Sequence, residues 1–200
     1  MDKNAWEFLK SESEPHLTTG KPQGRGWEPL FNFLNQARGY VYLLDNSYSE
    51  IQFIPRSKIS KQKTPDLQGN LNEDLVLLEV KTINRSKNEI KRMHLREAIE
   101  VQTELQGEFF TKLQETINTG KIQIDTFLKT VSKKCNIRIV FIVINFDDLL
   151  GEYKENYFKQ IDNYLGENPA IGLEIVLFNQ WTCFHKKVSL KNAIIVNEDF

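Results

Sequence analysis

The stretch Thr64-Pro-Asp-Leu-Gln-Gly-Asn-Leu-Asn-Glu-Asp-Leu-Val-Leu-Leu-Glu-Val-Lys81 decides how the chain folds. Two strand-like runs, 65–68 and 75–82, flank a reversal at 69–74 that is rich in Gly, Asn and Asp. They predict a hairpin. If the reversal is symmetric, Asp66 falls across from Glu79 to within a residue, and directly opposed residues have Cβ atoms about 4.5–5.5 Å apart. Side chains alternate along a strand, so Glu79 and Lys81 share one face while Val80 turns the other way into the core. Two acids and one amine would then meet on one surface at the edge of the sheet.

Two carboxylates held that close repel unless a proton or a cation sits between them, and their oxygens suit a hard ion such as Mg2+ or Mn2+. A nearby ammonium can orient or help deprotonate a water and can stabilise charge that develops on a phosphate. The chemistry expected of such a centre is phosphodiester cleavage.

Pro65-Asp66, a spacer of twelve residues, and Glu79-Val80-Lys81 at the end of an apolar strand resemble the PD-(D/E)xK signature of the restriction-endonuclease-like nuclease superfamily. The motif itself covers about eighteen residues, and the order of elements around it extends the likeness to residues 27–146. The resemblance implies an α/β domain with a mixed central β-sheet flanked by helices, restriction-endonuclease-like, that hydrolyses phosphodiesters in DNA with Mg2+ or Mn2+. It implies Asp66 and Glu79 as metal ligands, the Val80 carbonyl as a further ligand, and Lys81 as the group that positions or activates water. It also implies an acid on the helix that precedes the sheet, and Glu28 is placed for that role, with Glu50 as the alternative. The competing readings are a surface hairpin with solvated acids, and a nuclease fold that has become an inactive nucleic-acid-binding or protein-interaction module.

Composition sets the frame around this centre. The 200 residues are 40% hydrophobic and 26% charged, ordinary values for a globular domain with a substantial core. No apolar run approaches the roughly 20 residues that span a bilayer, and the N-terminus has no signal-peptide core, so a cytoplasmic protein with no membrane partner is expected. The cysteines, Cys135 and Cys183, are isolated and make no zinc pattern. The net charge of -1 gives no global attraction to nucleic acid, yet the basic residues are concentrated beside the acidic centre. Arg56, Lys58, Lys61 and Lys63 precede Asp66; Arg85, Lys87 and Arg96 follow Lys81. Two basic segments bracketing a metal site would suit a phosphate backbone, and the resemblance implies Gln102 or Arg96, on the helix that follows, as a further contact with the substrate backbone.

The remaining segments read as follows. Residues 1–26 form an N-terminal arm with a short helix at 4–10 and then a loop rich in Ser, Glu, Pro, Thr and Gly; residues 27–200 form a single domain. Leu30, Phe31, Leu34 and Ala37 recur at helical spacing after Pro29. Residues 39–44 and 50–54 predict a second hairpin. A long helix is expected over 88–118, with His94 on its apolar side, ended by Thr119-Gly120; another helix follows at 123–133. The near-continuous apolar run at 137–144 predicts a central strand parallel to the one ending at Lys81. A helix at 148–165 and strands at 173–178, 181–185 and 193–196 complete the pattern. A homodimer or a partner protein that delivers substrate is compatible with this composition. Phosphate-binding loops, nucleophile elbows and paired-histidine metal motifs are all absent.

Overall fold

A computed structural model describes residues 1–18, 28–56, 63–84, 103–131, 135–146, 152–179 and 182–187. Six strands run β1 (Ser49–Phe53), β2 (Leu67–Leu71), β3 (Asp74–Ile83), β4 (Cys135–Ile144), β5 (Glu174–Asn179) and β6 (Thr182–Lys187), and they lie side by side in chain order. The sheet is mixed. β1, β2 and β3 are antiparallel neighbours, β3, β4 and β5 are parallel, and β6 is antiparallel at the far edge. Helices α1 (Lys3–Thr18) and α2 (Glu28–Asp45) pack on one face, α3 (Gly107–Leu128) and α4 (Lys154–Glu167) on the other.

This three-layer α/β arrangement follows from the strands. β4 is apolar on both faces, and each residue from Ile139 to Ile144 is buried. Its alternate side chains enter two cores: Ile139, Phe141 and Val143 meet α1 and α2, while Val140, Ile142 and Ile144 meet α3 and α4. β3 divides in the same way, with Val76 and Leu78 in the first core and Leu77 and Ile83 in the second. The parallel β3–β4 pairing extends from Leu75 across from Cys135 to Ile83 across from Ile144. Such a pair needs a long crossover, which α3 supplies.

The hairpin is tighter than the six-residue reversal expected from the sequence. Leu71 pairs with Asp74, and the chain turns at Asn72 and Glu73, with Asn72 in the left-handed region at φ 56°. Asn is among the few residues that tolerate this backbone, so a two-residue turn is accessible without glycine.

Residues 39–44 are not a strand. They continue α2, which extends to Asp45. Tyr40 and Leu43 are buried with Phe33 on the sheet-facing stripe, and Gly39 lets the helix approach the hairpin: a Cβ there would lie 3.0 Å from Val80 Cγ2 and 3.1 Å from Leu67 Cδ1. The phase of the helix also differs from expectation, since Phe31 is 57% exposed. Further corrections concern the other helices. α1 continues to Thr18, capped by Asp2, whose Oδ1 accepts from the Ala5 N–H at 2.8 Å, and it docks through buried Ala5 and Leu9 and a Phe8–Phe53 stack. α3 passes straight through Gly120 and takes in most of the helix expected at 123–133. Gly120 is a contact and not a stop: its missing Cβ would lie 2.8 Å from Val140 Cγ2. The helix expected from 148 is seen from Lys154, and residues 85–102, 147–151 and 188–200 lie outside the described residues. Among the described residues no helix is long and apolar enough to cross a membrane.

Gly120→Ala should therefore destabilise the fold by about 1–2 kcal/mol, because overpacking against Val140 outweighs the gain of about 1 kcal/mol in helix propensity. Adding Val140→Ala should recover part of the loss from the clash, measured as the midpoint of urea unfolding. A stabilised Gly120→Ala protein would contradict the close approach of α3 to β4.

Candidate active site

The hairpin register assembles the acids. Leu67 pairs with Leu78, and one further step sets Asp66 across from Glu79. The next step sets Pro65 across from Val80, where proline has no N–H to complete the ladder. The Asp66 side chain takes the vacated place: its Oδ2 accepts the Val80 N–H at 2.8 Å. Its Oδ1 accepts from Gln36 Nε2 of α2 at 2.8 Å, and its backbone carbonyl accepts from the Ile54 N–H at 2.9 Å. Asp66 is thus tied to both neighbouring strands and to a helix.

Glu79 and Lys81 lie on the α3 side of the sheet, and Val80 packs on the α2 side, as strand alternation requires. Glu79 is only 2% exposed. Lys81 Nζ donates to Glu79 Oε1 at 2.5 Å and to Gln123 Oε1 of α3 at 3.2 Å, and Gln123 Nε2 donates in turn to the Thr64 carbonyl at 2.7 Å. Glu79 Oε2 is buried and accepts no hydrogen bond. A buried acceptor left this way is costly unless another group reaches it.

The electrostatics follow from burial. Desolvation pushes Asp66 up to about 6, against the Val80 N–H and the charges of Lys81 and Arg56, which favour the carboxylate. Glu79 is pushed up to about 8, first by burial and then by the Asp66 charge, with Lys81 opposing. The two acids therefore favour holding a proton, or its equivalent in positive charge, between them.

Of the residues expected here, Asp66, Glu79, Val80 and Lys81 come together. Glu28 opens α2, but its side chain lies outside the described residues. Gln36, two turns further along the same helix, reaches Asp66. Glu50 is elsewhere: it is exposed on edge strand β1 and accepts from Asn70 Nδ2 at 2.6 Å, about 13 Å along β2 from Asp66 at the usual strand rise. Arg56 is exposed with its guanidinium 5.8 Å from the centre of the Phe33 ring. Thr64 Oγ1 donates to the Pro55 carbonyl at 3.4 Å, which draws together the backbone beside Arg56 and that beside exposed Lys63. Lys58, Lys61, Arg85, Lys87, His94, Arg96 and Gln102 lie outside the described residues. Among the described residues no three His, Cys, Asp or Glu side chains are grouped closely enough to hold a metal by themselves. Cys135 is a free thiol, and the Cys183 side chain lies outside the described residues.

Sequence reasoning missed Gln36 and Gln123. Each is a polar residue on the stripe its helix turns to the sheet: Gln36 lies between Phe33 and Tyr40, Gln123 between Gly120 and Ile124. A polar residue on an otherwise apolar stripe was the available signal.

Both acids titrate higher in the folded chain than their ordinary values of 3.8 and 4.5. The folded state thus holds protons that the unfolded chain releases, so this contribution is present at low pH and is lost as pH rises through the folded values. The metal-free protein should lose stability between about pH 5 and pH 8, on the order of a few kcal/mol, and Glu79→Gln should flatten the upper part of that slope. Thermal midpoints across that range would test it; a flat profile would show that the two acids are ionised in the fold. Comparison of the chain with family models, curated proteins and solved structures finds no match.

Proposed function

We propose that the chain is a divalent-metal-dependent nuclease of the restriction-endonuclease-like type, acting on DNA. The observation that carries this reading is the assembly of Asp66, Glu79 and Lys81 at one strand end, with Glu79 Oε2 buried beside a second carboxylate and without a hydrogen-bond partner. A surface hairpin would leave its acids in water. A binding module gains nothing from burying Glu79 beside a second carboxylate.

The donor set fits a hard cation. Asp66 and Glu79 offer carboxylate oxygens, and the Val80 carbonyl belongs to the same side of β3 as its N–H, toward Asp66 and away from β4. Mg2+ or Mn2+ there would neutralise charge on the phosphoryl oxygens and favour ionisation of a water. Asp66 is held for ligation by Gln36 and the Val80 N–H, which leave its remaining lone pairs available. Lys81, 23% exposed, lies between the buried acid and solvent, where its ammonium can orient a water and meet charge developing on a phosphate. Arg56 and Lys63, whose neighbouring backbone is joined by the Thr64–Pro55 hydrogen bond, would meet neighbouring phosphates.

Incubation of plasmid, linear double-stranded and single-stranded DNA with Mg2+ or Mn2+ should give cleavage that Asp66→Ala, Glu79→Ala and Lys81→Ala each reduce by about 10²–10⁴-fold. Mn2+ should raise the thermal midpoint of the wild-type protein, and Asp66→Ala should abolish that shift. Retained DNA binding with no cleavage and no metal-dependent shift would replace this reading with that of an inactive binding module.

A further inference from the structure

Gln123 has an orientation that chemistry determines uniquely. Its amide oxygen faces the Lys81 ammonium at 3.2 Å and its amide nitrogen faces the Thr64 carbonyl at 2.7 Å. An ammonium only donates and a carbonyl only accepts, so flipping the amide would break both bonds. Its side chain is thus bonded both to Lys81 and to the segment that carries Asp66. It stands on the sheet-facing stripe of α3, one turn from Gly120, where the helix comes close to β4. The close approach of α3 thus sets how near the amide lies to the strand end.

We propose that Gln123 is a positioning residue for Lys81, an inference that rests on reading the hairpin as a phosphodiesterase centre. Lys81 has a flexible four-carbon stem and three N–H donors. With Glu79 Oε1 as its single partner, the ammonium could swing about that one bond. The second bond, to Gln123, removes the swing: once two N–H directions of a tetrahedral nitrogen are taken, the third has one direction left. That third N–H is the one free to meet a water or a phosphoryl oxygen. The bond to the Thr64 carbonyl anchors the amide to the backbone two residues before Asp66, so ammonium and carboxylate keep a common frame.

The test uses the full chain with Mn2+ and linear DNA, comparing wild type, Lys81→Met, Gln123→Met and Gln123→Glu. Gln123→Met keeps the side-chain volume and loses both hydrogen bonds. It should lower kcat by about 10–100-fold with KM within about threefold and an unchanged melting temperature, the size of effect expected when a reacting group is slightly misplaced. Gln123→Glu keeps an oxygen for Lys81 but sets a second acceptor against the Thr64 carbonyl, so it should recover part of that loss and not all of it. Wild-type cleavage that Lys81→Met abolishes but Gln123→Met leaves within twofold would overturn the positioning role while the nuclease reading stands. Equal losses in Gln123→Met and Gln123→Glu, with lowered melting temperatures, would overturn it in favour of a packing role. If the wild type neither cleaves DNA nor is stabilised by Mn2+, the underlying reading and this inference both fall.

Discussion

Leu67 lies across from Leu78, and the site exists because of that pairing. Slipping the hairpin by one residue would exchange the faces of every side chain in β2, taking Leu67 out of the core and Asp66 away from Glu79. The apolar contacts of Leu67 and Leu78, both fully buried against α2, therefore hold the register that brings two acids together. The same register puts Pro65 where a ladder donor and acceptor pair would normally continue. The Asp66 carboxylate replaces the missing ladder partner of Val80, so the strand end is closed by a side chain that also serves the site.

Burying a carboxylate beside another opposes folding, and the structure counters this in part only. Lys81 supplies one positive charge to Glu79, and the Val80 N–H and Gln36 supply hydrogen bonds to Asp66. Glu79 Oε2 receives nothing. Structural ion pairs are usually completed on both sides, because truncating or omitting one partner leaves a desolvated charge. An incomplete pair of this kind is strain held in place by the surrounding packing: Gly39 against Val80 on one face and Gly120 against Val140 on the other. Two glycines thus let two helices close over the strand end, each bringing a glutamine to it.

The hairpin and the central strand were legible in the sequence because their signals are local: alternation, a polar reversal and one near-continuous apolar run. The acids and the lysine followed from those signals. What misled was context. Gly39-Tyr-Val-Tyr-Leu-Leu44 has the β-branched and aromatic composition of a strand, yet it is helical because Phe33, Tyr40 and Leu43 make one buried stripe on the sheet. Thr119-Gly120 has the look of a helix end, yet the glycine is there to admit Val140, a residue of another element. Gln36 and Gln123 stand out only as polar residues on apolar stripes, because the partners that place them lie 30 and 42 residues away along the chain.

The strand order carries a consequence for how the chain is made. Every strand of the sheet lies beside its predecessor, so a chain emerging from the ribosome can add each one to an edge already formed and need not insert any between two others. The residues gathered at the candidate centre, from Gln36 to Gln123, all precede β4. The candidate site is thus encoded in the half of the sheet synthesised first, and β4 to β6 are the buttress added afterwards.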